Sequence, residues 1–458
     1  MTTPPLASTA GGTTALGPLL DTVLDALREG AETRGGAPLP AGGPDTVTTH
    51  LRHTVGEVLP RHGDPDALRT LVRAFAAGAA DPAHPLCAAH LHCPPLAVAA
   101  AADLAATVLN PSLDSWDQAP AASALETLVT KALAKEVHAA DALVTTGGTE
   151  SNQLALLLAR ETHHPHGPHG PLRLVRGANA HHSLPRAAWL LGLPDPVVVP
   201  TPGGTLTPAA LDEALTDLPR PILVNATAGT TDAGLIDPLT DLADVCAAHG
   251  ARLHVDAAYG GGLLFSDHHR HRLNGLDRAH TITLDLHKLG WQPIAAGLLA
   301  IHDATDLTAL RHRADYLNAD DDTEAGLPDL LGRSPRTTRR PDILKIAVTL
   351  KSLGREGLGA LVDQVCALAQ EFATLVDAHP RFDLYGTPTI STVLFRPTGA
   401  TDTAVADTRR RLLHDGQAVL GRAAPDGRLW LKATLLNPHT RPGDLATLLK
   451  LVEGHTPA

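Results

Sequence analysis

Between residues 86 and 350 the chain repeats one pattern, a short run of Val, Ile or Leu followed by a longer amphipathic stretch. The runs include Ala142-Leu143-Val144, Leu172-Arg173-Leu174-Val175, Pro196-Val197-Val198-Val199, Pro221-Ile222-Leu223-Val224, Arg252-Leu253-His254-Val255 and Thr281-Ile282-Thr283-Leu284. Continuous apolar runs of this kind suit strands covered on both faces, and helices between them allow parallel pairing through crossovers. The pattern predicts an α/β fold built on a mostly parallel sheet. No repeat of fixed period accompanies it.

The flanks read differently. Residues 1–85 open with a Thr, Ala, Gly and Pro-rich stretch, expected to be mobile at its extreme N-terminus, and continue with helical spacing in Leu19, Val23, Leu24, Leu27 and in Leu68, Leu71, Val72, Phe75. This predicts an N-terminal helical arm. After about 351, helical spacing through Leu361, Val362, Val365, Leu368 and Phe372 leads to strand-like Ile390–Phe395 and Leu429–Thr434 and a last helix. These elements predict a small C-terminal α+β domain over 351–458, beside a large domain over 86–350.

A net charge of -12 and a pI near 6.1 argue against a nucleic-acid or anionic-membrane partner, since both require a concentrated basic face. Cys87, Cys93, Cys246 and Cys366 are too scattered for a disulfide framework, which fits a reducing compartment. The apolar run Leu96 to Leu109 is interrupted by Asp103 and is too short to span a bilayer. A cytoplasmic protein acting on a small molecule is the expectation.

In an open parallel sheet, ligands bind beyond the carboxyl ends of the strands, so residues at successive strand ends converge. Four polar segments stand there. Thr145-Thr146-Gly147-Gly148-Thr149-Glu150-Ser151-Asn152 can cradle an anion at a helix start or serve as an ordinary cap. Asn179-Ala180-His181-His182-Ser183 places a histidine before a helix, where it can stack on a planar ligand or simply be solvated. Asn225-Ala226-Thr227-Ala228-Gly229-Thr230-Thr231 offers hydroxyls to a ligand or to its own turn. The fourth holds Asp256, after Leu253-His254-Val255, and Lys288, after Thr283-Leu284-Asp285-Leu286-His287, separated by 32 residues (288 minus 256). A lysine amine that forms a Schiff base and a carboxylate that keeps a pyridine nitrogen protonated are what pyridoxal phosphate chemistry requires. Each segment alone is weak; their order on successive strands is not.

Taken together, Thr146–Asn152, Ala180–Ser183, Ala226–Thr231, His254–Tyr259 and His287-Lys288 resemble the motif series of the group II pyridoxal-phosphate amino acid decarboxylases, over roughly residues 85 to 450. The resemblance implies a fold-type I, aspartate aminotransferase-like large domain and a homodimer whose active site is completed across the interface. It implies that Lys288 holds the cofactor, Asp256 pairs with the pyridinium, His181 stacks on the ring as a catalytic residue beside Lys288, and Ala258 packs its other face. Gly148 and Thr149 would hold the phosphate, Thr230 would contact the cofactor, and His287 would lie near phosphate and lysine. Asp285-Leu286 departs from the Asn-Pro of many members, and an acid beside a phosphate is unfavourable, so Asp285 receives no phosphate contact.

Reaction and substrate rest on other segments. Arg313-Ala314-Asp315-Tyr316-Leu317-Asn318 resembles the mobile catalytic loop in which a tyrosine returns a proton after carbon dioxide leaves, and Tyr316 matches that tyrosine. His90–Pro94, Asn110–Pro120, Asp329–Ser334, Thr337–Arg340 and Leu435–Pro438 resemble the branch acting on diamino acids, including 2,4-diaminobutyrate decarboxylases and the lysine or ornithine decarboxylases of siderophore pathways. A distal ammonium requires a desolvated carboxylate, for which Asp117, beside Trp116, or the acids of Asp320–Glu324 are the candidates. An aromatic or acidic amino acid is the alternative substrate within the family. A non-catalytic metal-binding homologue is the alternative of another class, drawing on Cys87, His90, His92 and Cys93 or on His163, His164, His166 and His169. Their spacing matches no regular zinc framework, so no metal is expected.

Overall fold

The six apolar runs become strands of a single sheet. A computed structural model describes residues 4–162, 170–314 and 316–456; the extreme N-terminus expected to be mobile begins with residues 1–3, outside the described ones. The sheet has seven strands, ordered from one edge Asp141–Thr145, Gly297–Ile301, Thr281–Asp285, Arg252–Ala257, Ile222–Thr227, Arg173–Gly177 and Val197–Val199. Pairing is parallel throughout except at Gly297–Ile301, which runs antiparallel to both neighbours. The α/β architecture read from the sequence is borne out. The antiparallel strand was not anticipated, because Gly297-Leu298-Leu299-Ala300-Ile301 follows Lys288 without an intervening helix.

Helix Gly148–Thr162 lies on this sheet with apolar residues on two sides. Leu154, Ala155 and Leu158 pack with Leu143, Leu299 and Ile301, while Leu156 and Ala159 pack with Leu172, Leu174, Leu184 and Leu223. Each buried leucine contributes about 1.5 to 3 kcal/mol. The helix is therefore held firmly, and with it the polar residues of its first turns.

The chain divides into two compact units: one takes in the residues to Pro94, Leu368–Thr387 and Val393 onward, the other Pro95–Ala367 with Pro388–Thr392. The first contains the N-terminal helices Gly12–Glu32, Gly43–Val55 and Ala67–Gly78 and a five-stranded sheet in which Cys87-Ala88 runs parallel to Val419-Leu420. The second contains the seven-stranded sheet and every strand-end segment singled out above.

Two segments matched to the diamino acid branch are structural fasteners. Arg339, 2% exposed, donates two hydrogen bonds to the Glu126 carboxylate at 3.0 and 2.9 Å. Arg333 donates to the carbonyl of Ala142 at 2.7 Å and pairs with Asp141 at the sheet edge. A bidentate buried pair of this kind is costly to break from one side, about 3 to 5 kcal/mol.

Candidate active site

Strand register brings the motifs together. Thr227 is paired with Asp256 and Asp256 with Thr283, so the segments that follow these residues leave the sheet along one edge. Asp256 is 5% exposed, and its carboxylate accepts from the Ala258 amide at 3.1 Å and from Asn152 Nδ2 at 2.8 Å. The second Nδ2 hydrogen of Asn152 reaches Ser183 Oγ at 2.8 Å, and Ser183 Oγ lies 2.8 Å from His181 Nδ1. Asn152 Oδ1 accepts from Thr283 Oγ1 at 2.9 Å and faces His254 Nε2 at 3.0 Å. One buried asparagine thus links two adjacent strands, Arg252–Ala257 and Thr281–Asp285, to the His181 turn.

Burial pushes the His181 imidazole below its ordinary pKa; Asp256 pulls it back, and His182 and Lys288 push it down further. Those influences also place His181 within electrostatic reach of Asp256, Lys288 and Asp285. Burial depresses the His254 imidazole to about 4, which keeps it neutral.

Lys288 Nζ sits 2.9 Å from Asp285 Oδ2, and His287 Nε2 lies 3.6 Å from the same oxygen. Asp285 is 3% exposed, and its Oδ1 has no hydrogen-bond partner. The departure from Asn-Pro therefore puts a buried anion against the lysine, which neutralises it. His287 Nδ1 is 3.1 Å from the Ala296 carbonyl and so carries its proton there, while burial lowers its pKa.

The Gly147-Gly148 turn is closely hemmed. Gly147 has φ +149, and a Cβ there would stand 2.8 Å from His287 Cε1; a Cβ on Gly148 would stand 3.0 Å from Ala258 Cβ and 3.2 Å from Asp285 Oδ2. Only glycine leaves this space open. The first amides of the helix beginning at Gly148 have no intrahelical acceptor and favour an anion. Backbone cradle, amine and buried carboxylate together fit pyridoxal phosphate, with Lys288, Asp256, Gly148, Ala258, His181 and His287 as the residues able to hold it.

Thr149 follows Gly148 in the same first turn and is exposed, so its amide shares the helix start with that of Gly148. Other expected site residues do not join this group. The Thr230 hydroxyl is occupied, accepting from the Leu235 amide at 3.0 Å, whereas Thr227 Oγ1, opposite Asp256, is buried without a partner and is the hydroxyl better placed to meet a ligand. Tyr316 is 83% exposed and Trp116 40% exposed. Asp117 and Asp320–Glu324 are exposed, so within one chain they lack the desolvation a distal-ammonium site requires; Asp114, at 8% exposure and accepting from Gln118 Nε2 at 2.7 Å, has it.

The sequence motifs contain Asn152, His254 and Thr283 with no role legible for them, and Ser183 only as a residue able to cap a helix. Asn152 carried a usable signal, since it is polar on a helix whose neighbours Leu154, Ala155 and Leu158 are core. Among the described residues no group of three His, Cys, Asp or Glu is arranged to hold a metal; His163, His164, His166 and His169 lie outside them. No helix among the described residues is long and apolar enough to cross a membrane.

Comparison with known proteins agrees with this geometry. A family model described as pyridoxal-dependent decarboxylase conserved domain matches residues 59–398. The chain is 42% identical over 384 residues to an L-2,4-diaminobutyrate decarboxylase of Rhizobium meliloti, covering 81% of this chain and 77% of that protein. It is 32% identical over 404 residues to an L-2,4-diaminobutyrate decarboxylase of Acinetobacter baumannii, covering 81% and 79%. Among solved structures, the glutamate decarboxylase domain of a diaminobutyrate-pyruvate transaminase and L-2,4-diaminobutyrate decarboxylase from Vibrio parahaemolyticus superposes with a TM-score of 0.87 at 31% identity, covering 98% of this chain and 97% of that one.

Proposed function

Because the chain belongs to the family of pyridoxal-dependent decarboxylases, we propose that it converts an L-diamino acid, with L-2,4-diaminobutyrate the leading candidate, to the diamine and carbon dioxide. It is an amino acid decarboxylase with pyridoxal phosphate as cofactor. The choice of substrate is supported by the two relatives named L-2,4-diaminobutyrate decarboxylases at 42% and 32% identity, each over 81% of this chain.

When bound, pyridoxal phosphate supplies an aldehyde and an electron-accepting ring. In this reading Lys288 holds the aldehyde carbon through Nζ, and Asp256 keeps a proton on the ring nitrogen. Gly148 and Thr149 present amides to the phosphate, with His287 close by, and Thr227 or Thr230 offers a hydroxyl. His181 covers one face of the ring and Ala258 the other. Tyr316 returns a proton from Oη to the substrate α-carbon, and closure of its loop excludes water. The distal ammonium is met by Asp114 or, from another subunit's chain, by Asp117 and Trp116.

A homodimer, with the site completed across the interface, belongs to the same reading. It is supported by apolar side chains left in water on the N-terminal helices, where Leu24 is 63%, Leu71 43% and Phe75 70% exposed. A cytoplasmic location and a role in diamine or siderophore supply go with it; the four cysteines form no disulfide. The three-part division at 85 and 350 is likewise proposed as the functional one.

The test is carbon dioxide release across 2,4-diaminobutyrate, ornithine, lysine, glutamate, aspartate and aromatic amino acids. A diamino acid is expected to turn over fastest. Faster turnover of an acidic or aromatic substrate would overturn the proposal while leaving the family assignment intact.

A further inference from the structure

The hydrogen bonds around Asn152 have a direction, and two main-chain amides set it. At one end the Ser183 amide points at His181 Nδ1 at 3.3 Å, and an amide only donates, so Nδ1 is an acceptor. At the other end the Ala258 amide donates to Asp256 Oδ1. With Asp256 a carboxylate, Asn152 must turn its Nδ2 toward it, because the opposite flip would set two acceptors 2.8 Å apart. Ser183 Oγ then accepts from the other Nδ2 hydrogen and gives its own hydrogen to His181 Nδ1. On the far side Asn152 Oδ1 takes the Thr283 hydroxyl proton and the His254 Nε2 proton, and His254 Nδ1 accepts from Thr281 Oγ1 at 2.9 Å. Every donor around Asn152 has an acceptor in this arrangement; the contact it leaves unmatched is that of His254 Nδ1 with the Thr281 carbonyl at 3.2 Å.

We infer that Asn152 is a positioning residue that, through Ser183, locks His181 in the tautomer carrying its proton on Nε2 while fixing Asp256 as an acceptor. The inference rests on the reading of His181 and Asp256 as the two groups facing the cofactor, and it adds how a single side chain ties their protonation together. His181 then presents an N–H outward and has no lone pair to offer there, so it donates a hydrogen bond and does not act as a base. The reverse polarity needs Asp256 as a neutral acid and Asn152 flipped; it would let His254 Nδ1 donate to the Thr281 carbonyl, but it would put a proton on His181 Nδ1 against the Ser183 amide. The charged or titratable groups facing His181 are Asp256, His182, Lys288 and Asp285, and burial opposes a second proton on the ring.

Neutron diffraction from the perdeuterated full-length protein without cofactor reads the proton positions directly. Deuterium is expected on His181 Nε2 and not on Nδ1, with none on the Asp256 carboxyl. Deuterium on His181 Nδ1 or on Asp256 overturns the inference. In solution, diethylpyrocarbonate attacks the unprotonated imidazole nitrogen, so peptide mapping should find His181 reacting slowly through its occupied Nδ1. Ser183→Ala is expected to raise that rate about tenfold, equivalent to a tautomer preference of ~1.4 kcal/mol, and Ser183→Thr to keep it low. Asn152→Asp, which cannot donate to Ser183, should match Ser183→Ala; if it does not fold, the serine pair decides alone. Equal His181 rates in wild type, Ser183→Ala and Ser183→Thr would contradict the lock. None of these readouts needs bound cofactor or substrate, so failure of the decarboxylase reading leaves them standing, and their failure leaves that reading standing.

Discussion

The surroundings of Lys288 and those of Tyr316 differ in almost every physical respect. Lys288 faces a buried carboxylate at 2.9 Å, beside a turn too tight for any Cβ and a fully bonded asparagine, whereas Tyr316 is 83% exposed on a segment of turns. The proposed cofactor side is thus assembled within one chain, in the interior between helix Gly148–Thr162 and the sheet. The proposed proton-returning side is not, and in that reading it reaches the chemistry through loop closure or a second subunit. The two halves should respond to mutation in opposite ways.

Lys288→Ala should have the largest effect. Amine formation should fall on the order of 10⁴-fold or more, and the buried Asp285 left without its cation should cost about 3 kcal/mol of stability. Turnover and thermal melting measure the two. An unchanged melting temperature would mean that the ion pair contributes nothing to the fold. Tyr316→Phe should lower turnover by about 10² to 10⁴-fold while shifting stability by less than about 0.5 kcal/mol, because its side chain is in water. A loss of cofactor absorbance in that variant would erase the contrast between the halves.

Much of the fold was legible because a doubly covered sheet writes continuous apolar runs, and six of the seven strands of the large sheet follow those runs. Gly297–Ile301 was not, since no helix separates it from Lys288 and its direction is set by the sheet alone. Val419–Ala423 and Phe382–Leu384 were not, being short and edged by Gly, Arg and Asp. In the site, Asp256, Lys288, His181 and Gly148 were readable as residue types that only make sense together. Asn152, Ser183 and Thr227 were not, because their importance lies in which partner each hydroxyl or amide meets, and that is decided by strand register. Asp117 is exposed within one chain, a property spacing does not carry.

Smaller effects sharpen the comparison. The buried neutral His254 has an acid signature: the unfolded chain takes up a proton below its ordinary pKa of 6.5, the folded protein not until about 4. Protonation therefore favours unfolding, and stability contributed by this residue is present above pH 6.5 and is lost as pH falls toward 4. Melting temperature against pH should be flatter over that window in His254→Gln than in wild type; parallel curves would show that His254 is charged in the folded protein. Gly148→Ala, whose new methyl would crowd Ala258 and Asp285, should weaken cofactor binding about tenfold, or ~1.4 kcal/mol, measured by absorbance titration. Undiminished affinity would mean that the turn is not the phosphate cradle.

Borohydride reduction of the loaded protein followed by peptide mass spectrometry tests the cofactor side at its centre. A single reduced cofactor adduct on Lys288 is the result this structure predicts. An adduct on Lys345 or another lysine, or none at all, would contradict the assignment of the site.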